Sequence, residues 1–246
     1  MARAVKPPRR RLRRAALSVV SFGLALVAVV VWQPPWAYRV LARVFPGIVW
    51  SVANAGPRVA LTFDDGPAEH TPQVLDILRR HGARATFFLI GPRAAAHPEI
   101  VARMRAEGHE IANHYSSIRS TLRVSEQEFT AEVARAEAMM APIGPPKLFR
   151  PPGGITTPAN RRALERMGYR CVLGSAYPFD GRPRPVGYIQ WVVSKNLEPG
   201  AIVILHDGVQ YPGNTVAALD GILDAAAAKG LAVVTVGELL GETAVR

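Results

Sequence analysis

The chain has 246 residues, 49% of them hydrophobic, enough to bury one substantial core and, for an α/β barrel, the usual length of a single domain. Net charge is +11, but Arg3, Lys6, Arg9, Arg10, Arg11, Arg13 and Arg14 supply seven of those charges without an acidic residue among them, so the basicity belongs to a tail beside an apolar run and gives no sign of a nucleic-acid partner. A single cysteine, Cys171, excludes an intrachain disulfide framework, and its apolar neighbours Val172 and Leu173 read as a buried thiol rather than a nucleophile.

Residues 1–14 form the basic tail, predicted to be cytoplasmic. From Ala15 to Trp32, 18 residues carry no charge, and the next charge is Arg39. As a helix, the positions from Ala15 to Tyr38 would extend about 36 Å, enough to cross a bilayer, although Pro34 and Pro35 should end the helix sooner. The expectation is one uncleaved transmembrane helix over 15–34. The rival, a cleaved signal peptide, has a basic start and an apolar middle but no convincing small-x-small cleavage site before the Trp-Gln-Pro-Pro-Trp stretch. Trp32, Trp36 and Tyr38 would then mark the outer interface, with the N-terminus inside and the remaining chain outside the cytoplasmic membrane. Residues 35–55 mix Val, Leu, Phe and Trp with Arg43 and Pro46 and read as a short amphipathic linker near the lipid.

A catalytic domain is expected over 56–246. Strand-like and helix-like segments alternate there, which predicts an α/β fold, a distorted (β/α) barrel with about seven parallel strands. The strand candidates are Arg58 to Phe63, Ala85 to Ile90, His109 to His114, Leu148 to Arg150, Arg170 to Leu173, Ala201 to His206 and Leu231 to Val236. Helices are expected from Pro72 to His81, Pro98 to Glu107, Ser125 to Met140, Pro158 to Met167 and Asn214 to Lys229. Thr71-Pro72 and Thr157-Pro158 place a capping hydroxyl before a first-turn proline, Ser125 with Glu128 forms a capping box, and Gly82, Gly108, Gly168 and Gly230 end helices.

Val59 to Phe63 runs as an apolar strand into Asp64-Asp65-Gly66-Pro67. Adjacent carboxylates repel unless a cation, a raised pKa or an arginine relieves them, which suggests a reactive site; the alternative is a solvated turn. In parallel β/α folds chemistry gathers at the carboxyl ends of strands. Reading only those ends gives Asp64, Asp65, His114, Arg150, Asp180, His206 and Asp207, residue types suited to hydrolysis.

Thr62-Phe63-Asp64-Asp65-Gly66-Pro67, Arg150-Pro151-Pro152-Gly153 and Ile204-Leu205-His206-Asp207, in this order and at these strand ends, resemble the motifs of polysaccharide deacetylases of carbohydrate esterase family four, the chitin and peptidoglycan N-deacetylases. The resemblance runs from about residue 56 to the end. It implies metal-assisted amide hydrolysis, with Asp64 as general base and Asp65 and His114 as ligands of a divalent metal, zinc first with cobalt or nickel as alternatives. It makes His206 the general acid, Arg150 the group that positions the base, the Gly153 N–H a donor to the carbonyl oxygen, and Leu205 part of an acetyl pocket. It also gives Asp180 the part of keeping His206 protonated. The roles are coherent: an amide carbonyl needs polarising, its attacking water needs a base, and the departing amine needs a proton.

The sequence departs from the family pattern at two places. The second metal-binding histidine is expected four residues after His114, where Ile118 stands, so only Asp65 and His114 remain of the usual three ligands and binding should be weak unless Ser116 or Ser117 substitutes. In Ser175-Ala176-Tyr177-Pro178-Phe179-Asp180-Gly181, Tyr177 stands where an aspartate is common and Gly181 replaces a pocket tryptophan, which points to an altered substrate preference. His70 is a candidate to approach the site; His81, His97 and His109 read as capping or solvated, and Trp191 as core. The function expected is removal of the N-acetyl group from an amino sugar in a cell-wall polysaccharide, chitooligosaccharide or lipid-linked glycan, releasing acetate. The alternatives are a catalytically impaired glycan-binding protein of the same fold and a hydrolase of a non-sugar amide. No protein partner is readable.

Overall fold

The computed structural model describes residues 9–140, 143–144, 146–208 and 213–241. Its strands are β1 (Ile48–Val49), β2 (Arg58–Asp64), β3 (Thr86–Leu89), β4 (Glu110–Asn113), β5 (Lys147–Phe149), β6 (Tyr169–Val172), β7 (Ile202–His206) and β8 (Ala232–Val234). The helices are α1 (Arg9–Trp32), α2 (Pro35–Val44), α3 (Thr71–Arg80), α4 (Gly91–Ala96), α5 (Pro98–Ala106), α6 (Glu126–Met139), α7 (Pro158–Arg166), α8 (Val186–Asn196), α9 (Gly213–Ala228) and α10 (Val236–Leu239). The sheet runs β1-β6-β5-β4-β3-β2-β7, with β8 also beside β2, and all of these pairs are parallel. The seven strands expected from the sequence are all present.

Period-two alternation sorts the strand side chains into two cores. Val59, Leu61, Phe63, Phe87, Val203 and Leu205 pack outward in one cluster with helix residues such as Leu75, Leu78, Ile189, Leu219 and Ile222. Ala60, Phe88, Ala112, Leu148, Val172 and Ile202 fill a second, inner cluster. The sheet curls back on itself between β6 and β7. At one level the β1 region bridges the gap, with Leu173 N–H bonded to Val49 O at 2.8 Å and Val52 N–H to Gly200 O at 2.9 Å. Beyond it, residues 174–176 reach β7 directly, Ser175 N–H bonding Ile202 O and Ile204 N–H bonding Ala176 O, both at 2.9 Å. The strand ends are thereby gathered at one rim of the barrel.

Several helix boundaries follow the expected punctuation. Ser125 caps α6 by accepting from Glu128 N–H, and Thr157 caps α7 by accepting from Asn160 N–H. Thr71 does not cap: it lies inside α3, whose cap position is His70, and its hydroxyl bonds elsewhere.

The N-terminal region differs from expectation. Among the described residues no single helix is long and apolar enough to cross a membrane; Leu17–Trp32 and Pro35–Val44 reach that length only together, with a 100° bend between them. The bend has a local cause. Pro34 and Pro35 remove N–H donors, and a residue before proline is driven out of the helical region; Gln33 sits at φ 47°. Residues 1–8 of the basic tail lie outside the described residues. The span 35–55 is not a plain linker either, because it holds α2 and then β1, whose Ile48 and Val49 pair with Cys171 and Val172. The sheet therefore begins before residue 56.

The elbow between α1 and α2 is docked on the barrel. Gln33 brackets Tyr177, accepting from its N–H at 2.8 Å and donating to its carbonyl. Trp32 meets Trp191 edge-on at 5.7 Å, with Lys195 Nζ over both rings at 4.7 and 5.0 Å. Tyr38 donates to Glu198.

Candidate active site

Parity along β2 turns Thr62 and Asp64 to the inner face with Ala60, while Phe63 points to the helix layer. Arg150, directly after β5, is 1% exposed. Its Nη1 donates to Asp64 Oδ1 at 2.6 Å and to Thr62 Oγ1 at 2.7 Å, its Nη2 to Leu173 O at 3.0 Å, and its Nε to Val172 O at 3.3 Å. The guanidinium also lies 3.9 Å from the centre of the Phe88 ring. Burial draws the Arg150 pKa down while the Asp64 charge and hydrogen bond oppose it. Arginine remains charged under any such shift. This pair fixes Oδ1 of Asp64, and among the described residues Oδ2 accepts no hydrogen bond.

Asp65 adopts φ 72°, turning the chain immediately after β2, and Arg93 Nη1 holds its carbonyl at 2.7 Å while also donating to Gly208 O. His114 lies buried at the end of β4, with Nδ1 2.8 Å from the Arg150 carbonyl. A carbonyl only accepts, so Nδ1 carries the proton and, in the neutral ring, Nε2 presents a lone pair. That atom is 3.4 Å from Asp65 Oδ1 and 4.0 Å from Asp64 Oδ2. Burial tends to raise the Asp65 pKa; in the protonated ring, where Nε2 also carries a proton, the His114 hydrogen bond and charge, with His206 and Arg93, hold it below the ordinary carboxylate value.

A lone pair facing two carboxylates is unfavourable alone and favourable around a divalent cation, with the Nδ1 bond fixing the ring as in metal sites generally. The residues present fit such an ion with Asp65 and His114 as the protein donors. No third donor joins them: among the described residues no group of three or more His, Cys, Asp or Glu is arranged to hold a metal. Ile118 is 64% exposed, Ser116 donates to Glu132, and Ser117 accepts from Arg119 N–H at 3.5 Å. Both serines expected as substitutes are thus bonded to other groups.

On β7, His206 donates from Nδ1 to Asp180 Oδ1 at 3.0 Å and from its backbone N–H to Asp180 Oδ2 at 2.8 Å. Thr215 adds a third bond to that buried carboxylate at 2.9 Å. Burial would lower the His206 pKa; the Asp180 hydrogen bond and charge, with the charges of Asp64 and Asp65, outweigh it and push the ring up to about 9. Tyr177 packs 5.7 Å from the imidazole, and a side chain at Gly181 would begin 3.7 Å from it. With metal removed, a folded value above the ordinary 6.5 means this group stabilises the protein fully below about pH 6.5 and loses that contribution as pH rises through about 9. A denaturation midpoint followed from pH 6 to 10 should therefore decline over that window, and Asp180→Asn should move the decline to lower pH.

Gly153 is exposed in the short turn Pro152–Gly154 after Arg150, at φ 69°, where glycine is favoured. Leu205 requires correction. It is fully buried in the helix-facing core, on the opposite side of β7 from His206, so it does not line the site. Its neighbour Ile204, half-buried and paired with Thr62, shares the face of Asp64 and His206. Arg93 and Thr215 carry no signal in the sequence, and Thr62 stands there only as the opening of the first motif, because each acts on a residue distant in the chain. His109 is a core histidine that accepts from Ala85 N–H, and His81 contacts Asp220 at 3.0 Å. Cys171 is buried, and burial pushes its thiol up to about 12, in keeping with an inert side chain.

A sequence profile described as Polysaccharide deacetylase matches residues 51–172. The chain is also 40% identical over 197 residues to a peptidoglycan-N-acetylglucosamine deacetylase of Bacillus cereus, the match covering 78% of this chain and 92% of that one. The chain belongs to the polysaccharide deacetylase family. Among solved members, the Bc1960 peptidoglycan N-acetylglucosamine deacetylase superposes with a TM-score of 0.77 at 31% identity, covering 81% of this chain and 95% of its own. A family 4 acetyl xylan esterase from Clostridium thermocellum, solved with a cobalt ion, gives 0.68 at 31% identity over 74% of this chain and 90% of that one. The sequence expectation of a polysaccharide deacetylase, a hydrolase, is met at that level.

Proposed function

We propose that this family member is a metal-dependent N-deacetylase that hydrolyses the N-acetyl amide of N-acetylglucosamine in peptidoglycan, or the same linkage in chitooligosaccharides or a lipid-linked glycan, releasing acetate. The observation that carries the reading is the pairing at the barrel rim: Asp64 oriented by Arg150, and His206 oriented by Asp180. In this reading Oδ2 of Asp64 takes the proton of the attacking water. His206, kept protonated by Asp180, delivers a proton from Nε2 to the departing amine, and each transfer is worth about 10²–10⁴ in rate. The Gly153 N–H donates to the developing carbonyl oxygen. A divalent ion held by Asp65 and His114, zinc first with cobalt or nickel as alternatives, would supply Lewis acidity. Tyr177 shields the imidazole on the side where substrate docks.

A location at the cytoplasmic membrane belongs to the same proposal: tail 1–14 inside, the apolar segment 15–34 in the lipid and the barrel outside. Its support is the row of exposed apolar side chains on α1, including Leu17, Phe22 and Leu24, after a basic stretch. Neither nucleic acid nor a protein partner is part of it.

Acetate release from peptidoglycan and chitin fragments, measured after chelation and after adding back zinc, cobalt or nickel, tests the reading. Chelation should abolish release and one of the three ions restore it. Glycan binding without any turnover would favour an impaired binding protein, and acyl release from simple amides alone would move the substrate away from sugars. Ile118→His restores a donor at the position where a ligand is expected and should tighten cobalt binding at least about tenfold by calorimetry. Unchanged affinity would sink the picture of a two-donor metal seat.

A further inference from the structure

We infer that Asp207 is a positioning residue: its buried carboxyl, bonded to Thr71 and packed against Gly66, sets the backbone of the turn that aims Asp65 at His114. The inference rests on reading Asp65 and His114 as metal donors.

Asp207 follows His206 at the end of β7 and is fully buried. Its N–H donates to Asp64 O at 3.3 Å, continuing the β2–β7 ladder past the last paired residues. Its Oδ2 accepts from Thr71 Oγ1 at 2.5 Å, and that hydroxyl accepts in turn from Ala68 N–H at 2.8 Å. One carboxyl therefore ties down the far end of the turn that begins at Asp65. The near end is held by contact. A Cβ built on Gly66 would stand 2.6 Å from both Asp207 oxygens, so the turn lies directly on the carboxyl and tolerates no side chain there. On the other flank, Arg93 bonds the carbonyls of Asp65 and Gly208. Asp65, at φ 72°, is thus held in a left-handed conformation by contacts on both sides of the β7 terminus. Among the described residues Asp207 Oδ1 has no hydrogen-bond partner, and the residue has no exposure, so the group is sealed from the rim and acts on the chemistry through Asp65.

The test uses the full-length chain and cobalt titration calorimetry, with thermal denaturation and circular dichroism alongside. Asp207→Ala and Thr71→Val should each weaken cobalt binding about tenfold or more, the size expected when a partner that orients a ligand is lost. Asp207→Asn keeps an acceptor for Thr71 and should retain the wild-type affinity. Thr71→Val removes the same bond with little change in shape and decides the matter if Asp207→Ala does not fold. Folded variants that bind cobalt as the wild type does, even with a lowered melting point, would overturn the inference while leaving the proposed activity untouched. A wild-type chain that binds no cobalt, zinc or nickel would remove the metal reading and this inference with it.

Discussion

Asp64→Asn should lower kcat/KM for acetate release by about 10²–10⁴, with most of the loss in kcat. The amide is nearly isosteric with the carboxylate and keeps an oxygen for Arg150 Nη1, now 2.6 Å away, but it has no basicity to offer a water. A second effect accompanies the first. Arg150 is 1% exposed and Asp64 3%, so neutralising one leaves a sealed guanidinium without its countercharge. Removing one partner of such a pair costs about 3–5 kcal/mol, a large part of an ordinary domain's stability. Acetate assays combined with urea unfolding separate the two effects. Activity within tenfold of wild type would assign the base to another residue.

Arg150→Met should be the most destabilising single change at the rim, again by about 3–5 kcal/mol, because it strands the Asp64 charge inside the barrel. It also removes the donor for Leu173 O and Val172 O, at the level where the sheet curls from β6 towards β7. The double variant Asp64→Leu with Arg150→Met replaces the ion pair by apolar groups and should recover much of the stability while staying inactive. The coupling free energy from the unfolding cycle checks this. Strict additivity of the two single losses would mean that the pair is not the source of the destabilisation.

The residues of the site were legible where they sit at strand ends, and the reason is geometric. A parallel barrel brings every carboxyl-terminal strand end to one rim, so Asp64, His114, Arg150 and His206 could be read together from four separate segments. What escaped was set by neighbours distant in sequence. Thr71 looks like a helix cap beside a proline, yet its hydroxyl is committed to Asp207, 136 positions away. The strand β1 has two residues and is a strand only because the gap between β6 and β7 receives it. Helix α4 has six residues opening on Gly-Pro, and α8 contains the strand-like run Ile189 to Val193, so neither carries an unambiguous helical pattern. The placement of Leu205 failed for a simpler reason. A strand alternates faces, so once His206 is assigned to the interior the residue beside it must face the helices, and Ile204 inherits the place beside the reacting groups.

The docked elbow bears on how this protein ought to be handled at the bench. A fragment cut between α2 and β1 would delete Gln33, unpairing both main-chain groups of Tyr177, and would strip Trp32 from Trp191. The residue so loosened is the one whose ring packs, tilted, against that of His206. Enzymologists who trim the N-terminus for convenience would then be timing a catalyst with one wall unbraced, whereas a chain that retains α1 and α2 keeps that brace in place.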